Sequence, residues 1–82
     1  MKKSAKFIAQ LLVGYTSKDV YDIWEDMGIV FKDKMGSWKI TDLGRSIGGS
    51  MSKSDYSQPV FEEDIIIDKM IEFYNKTKGS KG

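Results

Sequence analysis

The stretch from Ile29 to Gly44, IVFKDKMGSWKITDLG, constrains the fold more than any other part of the chain. It reads as two short strands of alternating polarity around a turn at Lys34-Met35-Gly36-Ser37. Side chains alternate faces along a strand, so Ile29, Phe31 and Asp33 share one face and Val30 and Lys32 the other. In the second strand Trp38 and Ile40 share a face, opposite Ser37, Lys39 and Thr41. Pairing like with like predicts an apolar face of Ile29, Phe31, Trp38 and Ile40, with Lys32 and Lys39 in water. A lone hairpin is marginal in water, so that face demands helices to cover it.

Helices are available on both sides. Ser4 to Val13 reads as the first: Ser4 can cap it, Phe7, Ile8, Leu11 and Leu12 recur at helical spacing, and Gly14 stops it. The second, Ser17 to Met27, puts Val20, Ile23, Trp24 and Met27 inward, with Thr16 or Ser17 as its cap and Gly28 as its end. Its outer face carries Asp19, Asp22, Glu25 and Asp26. After the hairpin, Thr41 can cap a brief turn through Asp42, Leu43 and Arg45 that closes at Gly48-Gly49. GGSMSKSDYSQ then reads as loop or linker. The last helix, Glu62 to Lys76, has acids in its first turn and an apolar stripe of Ile66, Ile67, Met70, Ile71 and Tyr74. Ile65 and Phe73 widen that stripe beyond the needs of one core face.

Composition removes several function classes. Eighty-two residues make one domain near the lower size limit for a self-sufficient core. With no cysteine there is neither a disulfide nor a thiolate metal site, which fits a cytoplasmic protein. With no histidine the commonest general base and zinc ligand are gone. The expectation is a non-enzyme without metal or cofactor. Asp19, Asp22 and Asp26 share a helical face, but no oxygen-rich loop accompanies them to hold a hard cation. The GGS at Gly48 lacks the context of a phosphate-binding loop. MKKSAKFIAQLLVGY has a superficial signal-peptide look, but Lys6 and Gln10 break its apolar run. No stretch is long enough to span a bilayer, so no membrane partner is expected.

Two helices separated by a glycine-containing turn, then a hairpin, is the order of a winged helix-turn-helix. The continuation MGIVFKDKMGSWKITDLGR resembles the helix-end, hairpin and W-x-x-T-x-x-G stretch of the C-terminal KilA-type domain of phage antirepressors, with Gly28, Gly36, Trp38, Thr41 and Gly44 at the matching positions. The likeness covers roughly residues 4 to 50. It implies an α+β fold: a small winged helix-turn-helix of two helices, a β-hairpin wing and a C-terminal helix. The expected divisions are a core over 1–50, a loop over 51–60, a helix over 61–77 packing on the core or on a partner, and a disordered tail over 78–82.

The resemblance implies a phage- or mobile-element-like regulator of transcription that binds duplex DNA, active in the host cytoplasm if phage-encoded, with a homodimer possible. Net charge is only +1, from 13 basic and 12 acidic residues, so DNA affinity would have to come from local clusters. Ser17, Lys18 and Tyr21 at the start of the second helix are candidates for phosphate and base edges, and Asp22 for a cytosine amine. Lys32, Lys34 and Lys39 on the wing, with Arg45 after it, are candidate phosphate contacts. Lysines on edge strands equally defend against aggregation, and Ser17 and Tyr21 equally serve as cap and packing residue. The second function considered is a protein-binding winged helix that inhibits a host or phage regulatory protein, antirepressor-like, through Asp19, Asp22, Glu25 and Asp26 and its surplus isoleucines.

Overall fold

The computed structural model describes residues 1–53 and 57–79. In chain order they form β1 (Lys2–Ser4), α1 (Ala5–Leu11), α2 (Ser17–Met27), β2 (Val30–Lys32), β3 (Trp38–Ile40), α3 (Asp42–Ser46), β4 (Ser50–Met51), β5 (Pro59–Glu62) and α4 (Glu63–Gly79). Strands β2 and β3 make a two-stranded antiparallel sheet, and β1, β5 and β4 a three-stranded antiparallel one with β5 in the middle. Among the described residues no helix is long and apolar enough to cross a membrane.

The helix ends follow local chemistry. Ser4 caps α1, its Oγ accepting from the Phe7 N–H at 3.4 Å. The helix stops at Leu11, two residues short of the sequence expectation. Helix α2 runs over Ser17–Met27 as expected and opens on a capping box: Thr16 Oγ1 accepts from the Asp19 N–H at 3.1 Å, and Asp19 Oδ2 from the Thr16 N–H at 2.9 Å. Gly28 closes it at φ +80°, and the Ile29 N–H reaches back to Trp24 O at 3.1 Å.

The hairpin register differs from the one expected, and the turn is the reason. The loop is the three residues Lys34-Met35-Gly36, not four. The Asp33 N–H donates to Ser37 O, and Asp33 Oδ1 accepts from the N–H groups of Met35 and Ser37, each at 2.9 Å. Gly36 takes φ +82°, the left-handed step that a three-residue loop needs. One residue fewer in the loop moves the first strand's side chains to the other face. Val30 therefore pairs with Ile40 and turns inward, Lys32 pairs with Trp38, and Phe31, pairing with Lys39, is 45% exposed. Ile29 is still buried, because it sits in the turn off α2 before the strand begins.

The T-x-x-G part of the motif is a clasp. Thr41 Oγ1 accepts from the Gly44 N–H at 3.0 Å, capping α3, and donates to Gly28 O at 2.7 Å. The Thr41 N–H donates to Ile29 O at 3.1 Å. One threonine thus ties the end of α2 to the start of α3.

Residues 50–51 and 59–62 are strands, where the sequence suggests loop and the run-up to a helix. In β5 Pro59 and Phe61 are buried and alternate with Val60 and Glu62. Pro59 is the first residue of its strand, a position where the missing N–H is tolerated. Ser54, Asp55 and Tyr56 of the expected loop, and Ser80–Gly82 of the expected tail, lie outside the described residues; residues 77–79 continue α4.

The core centres on Trp24, wholly buried, whose Nε1–H donates to Met70 Sδ at 3.3 Å. Its ring meets Phe61 edge to face at 4.8 Å and Tyr21 at 5.8 Å. Ala5, Ile8, Ala9, Val20, Ile29, Val30, Ile40 and Ile66 complete it. Trp38, expected as an equal core residue, is only partly buried. On α4, Ile66 and Met70 are buried and Ile67 partly so, but Ile71 and Tyr74 of the expected stripe are exposed, at 54% and 56%.

Candidate functional site

Helix α2 divides into three sectors, because residues 100° apart along a helix face different neighbours. The first sector is Tyr21. Its ring stacks on Trp38 at 4.8 Å and 3° between planes, and its hydroxyl donates to Gln58 Oε1 at 3.3 Å. Gln58 in turn is strapped to Ser52 by backbone and side-chain bonds of 2.8 and 3.1 Å. The Lys32 ammonium sits 5.4 Å from the Trp38 ring centroid. Burial pushes the Tyr21 phenol above its ordinary pKa, so it stays neutral. Tyr21 is thus a packing residue that joins α2, the hairpin and the strand β5 approach.

The second sector faces water. Lys18 Nζ and Asp22 Oδ2 form an exposed i,i+4 ion pair at 3.0 Å, and that hydrogen bond raises the lysine pKa. Glu25 and Asp26 are exposed beyond it, and Ser17 is exposed, Thr16 having taken the cap. On the wing, Lys32 and Lys39 lie on opposite faces of the hairpin and Lys34 is in its turn; Arg45 is exposed on α3. The structure therefore brings together Lys18 with Asp22, and Tyr21 with Trp38 and Lys32. It turns Lys39 away from Lys32. The three aspartates likewise do not converge: Asp19 is held in the capping box and Asp22 by Lys18.

The third sector centres on Ile23. It looks into an apolar groove of about 250 Å³ between α2, the α1–α2 turn and α4. The turn supplies Leu12 and Tyr15, and α4 supplies Met70, Ile71, Phe73 and Tyr74. Leu11 and Val13 flank Leu12 in the chain and are exposed, Val13 at 98%. Asp19 and Asp26 lie one turn either side of Ile23 on α2 and are exposed, outside the groove's apolar lining. Asp19 is held below the usual carboxylate range by its bonds from Thr16. Helical spacing groups Leu11 and Leu12 with Phe7 and Ile8, and Ile71 and Tyr74 with Ile66, Ile67 and Met70; of these Leu12 packs against the core, whereas Leu11, Ile71 and Tyr74 are exposed. The signal for a surface role was present in the α4 stripe, which is wider than one packed face.

The fold and these surfaces define a small mixed α+β domain, four helices with two small antiparallel sheets among the described residues. No protein-family model, curated protein or solved structure matches this chain.

Proposed function

We propose that this chain is a small regulatory domain that binds another protein, acting as an inhibitor or antirepressor-like partner through the groove beside Ile23. The observation that carries this reading is the exposed apolar lining of that groove, Tyr15 on one bank and Ile71 and Tyr74 on the other, with Leu11 and Val13 exposed next to Leu12 in the chain. Contiguous exposed apolar surface is the mark of an interaction site, because leaving it in water is costly. The order α1, turn, α2, hairpin supports reading the domain as a variant winged helix; the sheet made by β1, β5 and β4 departs from the wing and two helices alone.

Duplex DNA has the weaker claim. A recognition helix presenting Asp22, Glu25 and Asp26 would push three carboxylates toward phosphates. Tyr21 is spent on Trp38 and Gln58, and Lys32 and Lys39 cannot engage one backbone from opposite faces of the wing.

Photo-crosslinking residues placed at Val13 and, separately, at Lys34 test the choice in cell lysate. Protein adducts at position 13 with none at 34 are expected, together with no salt-sensitive retention of random duplex DNA on a filter. Filter binding that weakens steeply with salt, and loses slope when Lys32, Lys34 and Lys39 become alanine, would overturn the proposal in favour of DNA.

A further inference from the structure

We infer that Met70 is a reversible redox switch: a hydroperoxide entering the Ile23 groove oxidises its thioether to the sulfoxide, which breaks the Trp24 bond and loosens α4 from α2. This stands apart from the protein-binding reading and needs no occupant in the groove. Three observations carry it.

The first is position. Met70 is only 8% exposed, yet it is part of the groove lining with Ile23 and Ile71. An open groove of about 250 Å³ admits a molecule the size of hydrogen peroxide to that side chain without unfolding. The second is the bond Met70 holds. Wholly buried Trp24 donates its Nε1–H to Met70 Sδ at 3.3 Å, joining α2 to α4. An N–H···O bond alone takes about 2.9 Å, so no oxygen fits between the two atoms as they stand. An oxygen added on the far side of the sulfur leaves the sulfur electron-poor and a worse acceptor. It also sets a polar atom among apolar Leu12, Ile23 and Phe73. Either way the two helices lose a contact. The third is composition. The chain has no cysteine and five methionines, so thioethers are its only sulfurs. Met1 and Met35 are 91% and 88% exposed, where an added oxygen meets water.

In the step itself a sulfur lone pair attacks the terminal oxygen of the hydroperoxide. The S–O bond forms as the O–O bond breaks. Sulfur gives up two electrons, and the peroxide is reduced to water or an alcohol that keeps the proton of the transferred oxygen.

Graded hydrogen peroxide on the full chain tests the inference, with each methionine followed by peptide mass mapping and the Trp24 indole N–H by NMR. Met1 and Met35 should react first and leave the Trp24 resonance and the melting temperature unchanged. Met70 should follow, faster than the core of α2 opens to amide hydrogen exchange. Its oxidation should keep step with a shifted Trp24 resonance and a melting temperature several degrees lower. Methionine sulfoxide reductase with a dithiol should restore both. Met70→Leu, close in volume, should fold and show no such drop after peroxide. Oxidation of Met70 no faster than core opening would mean that the groove does not admit peroxide, and would overturn the inference. So would an oxidised Met70 with an unmoved Trp24 resonance, or a melting drop that persists in Met70→Leu. A loss that the reductase cannot reverse would make the reaction damage and overturn the switch.

Discussion

Trp24 and Trp38 have the same side chain but different weights. Trp24 is fully buried against Phe61, Tyr21 and the Met70 sulfur. Trp24→Ala should cost about 3–5 kcal/mol, a large share of the roughly 4–12 kcal/mol that a domain of this length holds. Trp38 is partly buried and held chiefly by its stack on Tyr21. Trp38→Ala should cost about 1–2 kcal/mol, nearer the value of an aromatic pair than of a core cavity. Urea denaturation of both variants checks the ranking. Gly44 offers a test by sign. Alanine within a helix ordinarily gains up to about 1 kcal/mol over glycine. Here an added Cβ would meet the Ile29 carbonyl oxygen and come within 2.6 Å of Ile40 Cγ1. Gly44→Ala should therefore lower the urea midpoint, as should Gly49→Ala, whose Cβ would enter the Phe61 ring edge.

At the scale of elements the hairpin and the α2 N-terminus are informative. The observed register makes Val30 a core residue and Phe31 a surface one. Val30→Ala should cost about 2 kcal/mol and Phe31→Thr under about 1 kcal/mol, the reverse of what the strand alternation alone suggests. Equal losses in equilibrium unfolding would contradict the three-residue loop. The capping box at Thr16 and Asp19 adds a pH dependence. Because bonds from Thr16 depress the Asp19 pKa, its contribution is present above the unfolded carboxylate value near about 3.9 and is lost as pH falls through the lower folded value. Thr16→Ala keeps the backbone N–H that is the larger cause of the shift, so it should lessen rather than remove that acid-side sensitivity, while costing about 1 kcal/mol of helix stability. Melting temperature followed from neutral to acid pH in both proteins tests this.

For the whole molecule, the decisive feature is closure by the second half of the chain. Lys3 pairs with Phe61 and Ser50 with Val60, so β5 joins the N-terminus to β4. Phe61, Ile66 and Met70 share the core with Trp24 and Ile8. A fragment of residues 1–50, the unit suggested by the winged-helix likeness, should lack dispersed amide resonances, while the chain through residue 79 shows them. A folded 1–50 fragment would mean that the three-stranded sheet is an accessory.

Local chemistry was enough for α2 and its ends, for the Thr41 cap of α3 and for a hairpin between Ile29 and Thr41. Each depends on residues within a few positions: Thr16 with Asp19, Gly28 after Met27, Thr41 before Gly44. The hairpin register hung on one loop residue, and the Asp33 side chain that gathers the Met35 and Ser37 N–H groups decided it. Strands β1 and β4 have only three and two residues and no alternation to read; they exist because β5 lies between them. The candidate site was least legible. Periodicity marks which side chains of α4 are apolar, but whether Ile71 and Tyr74 enter the core or border a groove depends on how far α2 and the α1–α2 turn reach across that helix. Burial is a property of neighbours distant in the chain, and only the tertiary packing supplies them.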